Sequence, residues 1–145
     1  MSEYKLLLTL AVSWVLSQML KATIYCIRNK KFDLARLMGD GGMPSSHSAT
    51  VVSLATASAL MYGLSSFQFA ISAALAFIVM HDASGIRFES GKQAQVINEI
   101  HEFLKNLSFK SKSERLEEFL GHTPLQVFFG ALLGAAVAVA IFFLV

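Results

Sequence analysis

Polar and apolar positions fall into long blocks along this chain. Three stretches, residues 6–20, 41–81 and 119–145, contain no Asp, Glu, Lys or Arg. A membrane-spanning helix needs about 20 predominantly apolar residues, and the middle stretch is long enough for two, with a turn signal at residues 62–66. The pattern predicts four transmembrane helices, near residues 5–27, 45–62, 67–84 and 123–144.

The alternative to a membrane protein is a very hydrophobic soluble bundle. A helix of a soluble domain keeps a polar stripe, whereas FFGALLGAAVAVAIFFLV at 128–145 has none. Charged residues make up 15% of the chain, against about 25% in soluble domains. The first helix lacks the basic start and the cleavage site of a signal peptide, so we expect it to be retained. We predict a single all-α integral membrane domain over residues 1–145.

The basic residues predict an orientation. Nearly all Lys and Arg lie in two loops, at 28–44 and 85–122, which four spans place on one face, opposite both termini. Because cytoplasmic loops carry the Lys/Arg excess, we expect an inner or cell membrane protein whose active site faces the cytoplasm. The net charge of +2 is small, so these bases suit anionic lipid headgroups or an anionic substrate rather than nucleic acid.

Two further patterns concern packing. Apolar residues recur at three- and four-residue spacing over 96–107, which predicts an amphipathic helix on the membrane surface or capping the bundle. In the last span, Gly130 and Gly134 form a G-x-x-x-G motif that lets another backbone approach closely. We expect this motif to pack inside the bundle, with a homodimer contact as its second use.

Ionisable residues cluster at the helix ends that share one face. The end of the first helix, the start of the second, the end of the third and the start of the fourth meet there. Each such residue alone can be read as a cap or an interfacial side chain, but ionisable groups at membrane depth are costly and usually line a polar cavity. Their convergence predicts a pocket formed by Lys21, His47, Asp82, Arg87 and His122.

The stretch GGMPSSHSA at 41–49 suits phosphate. Gly41 and Gly42 permit a turn whose N–H groups face an anion, Ser45 and Ser46 add hydroxyl donors, and the positive end of a helix dipole follows. One histidine of the pocket can attack phosphorus or activate water while the other protonates the leaving alcohol. No metal site is favoured, since the candidate ligands show no i, i+4 pair, and no cofactor is predicted.

Three motifs resemble a known family. GGMPSSHSA, DASGIRFESGKQAQVIN at 82–98 and LGHTPLQV at 120–127 are similar, in order, to the divergent branch of the type 2 phosphatidic acid phosphatases, relatives of the vanadium-dependent haloperoxidases. The resemblance runs over residues 18–134. It implies metal-independent hydrolysis of a lipid phosphate through a phosphohistidine. Phosphatidate, phosphatidylglycerophosphate and isoprenoid phosphates or diphosphates are all compatible substrates.

The resemblance also implies residue roles. Lys21 would hold phosphate, Ser45 and Ser46 would donate to it, His47 would be the general acid, Arg87 the clamp and His122 the nucleophile.

The sequence departs from the superfamily pattern at several of these positions. Ser46 stands where the superfamily has Gly. Arg87 and His122 are 35 positions apart rather than six. Gln126 replaces the Asp that orients the nucleophile, a task that Asp82 or Glu118 could take over.

Two other functions are compatible with the same pocket. The protein could bind a phosphorylated lipid without turnover, or serve as a membrane scaffold or transport component, because a shared fold does not establish an activity. Haloperoxidase chemistry is disfavoured, since it needs tightly held vanadate and this pocket opens beside lipid.

Overall fold

The computed structural model describes residues 4–30, 42–107, 116 and 121–144. These residues form five α-helices and no strand: α1 (Tyr4–Asn29), α2 (Ser46–Tyr62), α3 (Phe67–Ser84), α4 (Ile86–Asn106) and α5 (Pro124–Leu144). The bounds of α1, α2, α3 and α5 lie within two residues of the four apolar helices predicted above, so the all-α class is confirmed.

The polarity of the bundle is inverted relative to that of a soluble domain. Its interior contains small hydroxyl side chains, among them Thr9, Ser13, Ser17, Ser48 and Ser53. Its exterior carries large apolar side chains, among them Leu7, Leu16, Phe77, Phe128 and Phe143. Small residues between helices and apolar residues facing outwards are typical of helices packed in lipid, so this inversion indicates a membrane-embedded bundle.

Three helical stretches are long and apolar enough to cross a membrane: Tyr4–Asn29, Phe67–Asn106 and Pro124–Leu144. A fourth span was predicted at α2. This helix has 17 residues. At about 1.5 Å per residue it extends about 25 Å, against a hydrocarbon core of about 30 Å. The four-span count therefore stays a prediction, and so does the orientation derived from it.

The centre of the bundle is α2, which packs against α1, α3 and α5. The approach of α5 depends on its G-x-x-x-G motif. A Cβ atom on Gly130 would lie 3.0 Å from the Cβ of Ser48, and one on Gly134 would meet the carbonyl oxygen of Ala49. The motif thus packs inside the bundle. Its second use, in a homodimer, stays a prediction.

The amphipathic helix α4 is longer than predicted and begins directly after α3, at the break formed by Gly85. Among the described helices it contacts α3 alone. Many of its apolar side chains, including Ile97, Ile100 and Phe103, are exposed. Its place on the membrane surface stays a prediction, and the short helix expected just before Gly121 lies outside the described residues.

Candidate active site

A capping box at the start of α5 supports His122. The Thr123 N–H donates to Gln126 Oε1 at 3.1 Å, and the Gln126 N–H donates to Thr123 Oγ1 at 3.4 Å. Such reciprocal bonds satisfy two of the N–H groups that a helix start leaves unpaired, and Pro124 suits the first helical position. The same Gln126 Oε1 lies 3.3 Å from His122 Nδ1, so one amide caps the helix and orients the imidazole.

The backbone around His122 is fixed to the junction of α3 and α4. The His122 N–H donates to the Ala83 carbonyl oxygen at 2.9 Å. Immediately before it, Gly121 packs directly on the backbone of Arg87 and Phe88, and a Cβ atom at Gly121 would lie 2.6 Å from the Arg87 carbonyl carbon. Residues that are 35 positions apart in sequence are therefore adjacent in the fold.

The two predicted histidines face each other. His47 Nδ1 lies 3.5 Å from His122 Nε2, and the rings meet edge to face with their centroids 5.7 Å apart. Because the amide oxygen of Gln126 can only accept, we assign the proton of a neutral His122 to Nδ1. Its Nε2 lone pair then points towards His47, as a nucleophile requires.

Positive charge surrounds this pair. Lys21 is buried, with 5% of its surface exposed, and its stem lies against Gly42, where a Cβ atom would be 3.1 Å from Lys21 Cγ. Gly42 has a φ of +87°, which side-chain-bearing residues rarely adopt. Lys21, Gly42, His47 and His122 are thus brought together, as the sequence predicted.

Burial lowers the pKa of His122 below its ordinary value of 6.5. Positive charge on His47 and Lys21 acts in the same direction, while hydrogen bonds with Gln126 and the Gly42 backbone oppose it. A buried cation is costly when other cations are near. The imidazole of His122 is therefore held in its neutral form, the form that can attack phosphorus.

The serines of the predicted phosphate loop are buried. Ser45 is the N-cap of α2, where its hydroxyl accepts from the Ser48 N–H at 3.3 Å, and its own N–H donates to the Gln126 carbonyl oxygen at 3.0 Å. Ser46 is 6% exposed and lines a cavity beside His47. Their donation to phosphate stays a prediction, and Gly41 lies outside the described residues.

Arg87 and Asp82 pair with each other. Arg87 Nε donates to Asp82 Oδ2 at 2.7 Å, with the side chains 54% and 38% exposed. Both line a cavity of about 500 Å³ that reaches His47 and His81. Asp82, one candidate for orienting His122, contacts Arg87, and Gln126 contacts the imidazole. The other candidate, Glu118, lies outside the described residues.

A second cavity, of about 380 Å³, also reaches His47. Residues of three helices line it: Trp14, Gln18, Ser46, His47, Thr50, Val51 and Val79. Gln18 was not among the predicted site residues, although it is the one amide in the uncharged stretch before Lys21. Among the described residues, no three His, Cys, Asp or Glu side chains are grouped as a metal would require.

The inverted bundle and its apolar helices define an integral membrane protein. A family model described as the Divergent PAP2 family matches residues 2–137, and the chain belongs to this family. The chain is also 42% identical, over 145 aligned positions, to the uncharacterized membrane protein YuiD of Bacillus subtilis (strain 168), covering 92% of this chain and 90% of that protein. No solved structure gives a significant match.

Proposed function

We propose that this protein is a metal-independent phosphatase that hydrolyses a phosphate monoester or diphosphate carried by a membrane lipid. The observation that carries the proposal is the 3.5 Å approach of His47 Nδ1 to His122 Nε2, beside buried Lys21. A nucleophile held neutral, a proton donor and a fixed cation are the groups that phosphoryl transfer through a covalent intermediate needs.

The reaction proceeds in two steps. First, His122 Nε2 attacks the terminal phosphorus and the N–P bond forms. The P–O bond to the lipid alcohol (for a diphosphate, to the lipid monophosphate) breaks, and His47 donates a proton to the leaving oxygen. Second, water attacks the phosphohistidine, His47 takes a proton from that water, the N–P bond breaks and phosphate leaves. Protonation of the leaving oxygen by a positioned side chain typically contributes about 10²–10⁴-fold to the rate.

Anion binding in this proposal falls to groups around the pair. Lys21 supplies a buried positive charge, the backbone at Gly42 can approach closely, and α2 directs its positive end at the site. Arg87 stands across the larger cavity from His47. Its Nε bond to Asp82 uses one of five N–H donors, so the guanidinium keeps donors for phosphate.

Substrate binding requires His47 to move. Reacting atoms in a productive complex are about 3–3.5 Å apart, so the gap of 3.5 Å holds a single such separation. The space between His47 Nδ1 and His122 Nε2 is therefore too short to hold the phosphorus atom and the leaving oxygen in a line, with the leaving oxygen hydrogen-bonded to His47. His47 lines two cavities, which give its ring space to turn aside while it stays within reach of the leaving oxygen.

The lipid class of the substrate follows from the surface of the protein. Apolar side chains cover the outside of the helices next to the site, including Phe77 and Ile78 at the larger cavity. A substrate whose tail stays in the bilayer can reach His47 without leaving it. On the positive-inside rule the site faces the cytoplasm.

Histidine variants test the proposal. Purified protein in mixed micelles is incubated with lipid phosphates, and released phosphate is measured for wild type, His47→Ala and His122→Ala. Both variants should lose release, while the matched control His101→Ala, on α4 away from the pair, should keep it. Rapid quench should trap an acid-labile phosphoenzyme in wild type and none in His122→Ala. Full activity in either site variant removes that histidine from the mechanism.

Chelation tests metal independence. Turnover should continue in excess EDTA, because the proposed mechanism uses side chains and backbone groups of this chain together with water, and no metal ion. Orthovanadate should inhibit, because it mimics the trigonal-bipyramidal arrangement at phosphorus. Loss of turnover on adding EDTA, restored by a divalent cation, would contradict this mechanism.

One observation favours the alternative, a lipid-phosphate binder without turnover. The partner of His122 is the neutral amide of Gln126, which cannot stabilise an imidazolium by charge. Binding of lipid phosphate that is lost in Lys21→Met, without phosphate release by wild type, would establish this second function.

A further inference from the structure

A cleft runs along α2 between α1 and α3. Both helices pack against α2, but within the described part of the chain the backbones of α1 and α3 do not approach each other closely. The floor of the cleft is therefore α2, and its walls are α1 and α3. The small side chains of α2 do not fill the space between these two walls. Two cavities lie in it, one on each half of α2.

The two cavities differ in polarity. The one next to His47 has an amide and hydroxyls in its wall, from Gln18, Ser46 and Thr50. The one at the far end, about 350 Å³, presents an almost entirely apolar surface, to which Leu6, Leu54, Ile71 and Leu75 contribute. The cleft thus changes from polar to apolar with distance from the histidine pair, as the alcohol half of a lipid phosphate does.

One residue in the wall of the polar cavity has a hydrogen-bond acceptor without a donor. Gln18 is 8% exposed, and its Oε1 is buried with no hydrogen-bond partner. The nearby Thr50 hydroxyl donates to the Ser46 carbonyl oxygen at 2.8 Å, so its proton is already used. Buried polar groups are nearly always paired, and an unpaired one on a residue that lines a cavity next to His47 indicates a place where a ligand's donor can be accommodated.

We infer that this cleft binds the alcohol half of the substrate and that Gln18 Oε1 accepts a hydrogen bond from a free hydroxyl on that alcohol. The inference rests on the proposed phosphatase function and narrows its substrate class. Ester oxygens and isoprenoid chains offer no donor. The site should therefore select lipid phosphates that carry a hydroxyl near the phosphate, on a lysolipid or on a glycerol headgroup.

Matched substrate pairs test the selection. Lysophosphatidate and phosphatidate differ by a free hydroxyl in place of an acyl ester. Phosphatidylglycerophosphate and its headgroup-deoxy analogue differ by the headgroup hydroxyl alone. Wild type should show a higher kcat/KM for the hydroxyl-bearing member of at least one pair, and the pair that responds identifies the source of the hydroxyl. Equal values within both pairs would overturn the inference while leaving the phosphatase function intact.

A near-isosteric variant tests the residue. Gln18→Met should reduce the ratio of kcat/KM values within the responding pair by about tenfold, the size expected for one hydrogen bond, mainly through KM. Gln93→Met, which makes the same change at an exposed position of α4 away from the cleft, is the matched control and should keep the wild-type ratio. An unchanged ratio in Gln18→Met, or an equal fall in the control, refutes the assignment. If wild type releases phosphate from an isoprenoid phosphate or diphosphate but from none of these lipids, the inference fails and the proposed function stands; release from neither group refutes both.

Discussion

Replacing Gln126 by Glu should move the pH dependence of the reaction upwards. The new carboxylate would lie where Gln126 Oε1 now lies, 3.3 Å from His122 Nδ1. Glu serves as well as Gln in a capping box, so it can still accept from the Thr123 N–H and the start of α5 is preserved. The substitution therefore adds a negative charge beside the nucleophile with little change in packing.

The magnitude follows from that distance. Two unit charges 3.3 Å apart attract by about 5 kcal/mol at an effective dielectric constant of about 20. The cost of burying the carboxylate offsets much of this, and an opposite charge at such range shifts a pKa by about 1–3 units. The wild-type pKa of His122 lies below 6.5 because of burial. The variant's pKa should rise from there by that amount.

The assay is kcat/KM as a function of pH, whose acidic limb reports ionisation in the free enzyme. Because His122 must be neutral to attack, the limb of the Gln126→Glu variant should lie about 1–3 pH units above that of wild type. Ionisation of the substrate is the same for both proteins and cancels in the comparison. At alkaline pH kcat should rise, since the carboxylate stabilises the cationic phosphohistidine. A limb that stays in place, or moves to lower pH, would refute the role given to His122.

Three other predictions concern the scaffold. Gly134→Ala should lower the melting temperature in detergent by the equivalent of about 1–3 kcal/mol, because its Cβ would meet the Ala49 backbone, while Ala136→Leu on the exposed side of α5 should melt like wild type. Asn98→Ala should speed proteolysis between α4 and α5, because Asn98 holds that connection by two backbone hydrogen bonds of 2.8 and 3.0 Å; equal cleavage rates would contradict this. A reporter fused to the C-terminus should lie outside the cytoplasm, and a cytoplasmic signal would reverse the proposed orientation.

Helix bounds were predictable where hydropathy changes abruptly. The uncharged blocks, the length that a membrane span needs and the turn signal at residues 62–66 placed the bounds of α1, α2, α3 and α5 to within two residues. The start of α4 was missed because residues 86–95 mix apolar, charged and glycine positions, so no helical period is visible there. In the fold this stretch continues from α3 after the break at Gly85, and such continuity is set by the neighbouring helix rather than by local pattern.

The convergence of site residues was predictable, but their pairings were not. Alternating helix directions bring Lys21, His47 and His122 to one end of the bundle, whatever the details of packing. Which polar side chains pair with each other by hydrogen bonds or ion pairs depends on distances of a few tenths of an ångström. Asp82 was a candidate partner for the nucleophile, yet it lies five positions before Arg87 across a helix break and pairs with it.

The spacing between the arginine and the histidine shows why position along the chain is a poor guide to this site. In sequence, the 35 positions from Arg87 to His122 depart strongly from the six of the superfamily. In the fold, residues after Arg87 lead away through α4 and return at Gly121, which lies on the Arg87 backbone because it has no side chain. The hydrogen bond from His122 to Ala83 then fixes the returning chain.

A long segment between Arg87 and His122 destabilises the site little when the chain leaves and returns at the same place. Closing a longer loop adds only about 0.6 kcal/mol per doubling of its length. Gly121→Val, which would separate these two backbones, should therefore impair the site more than lengthening the connection between α4 and α5.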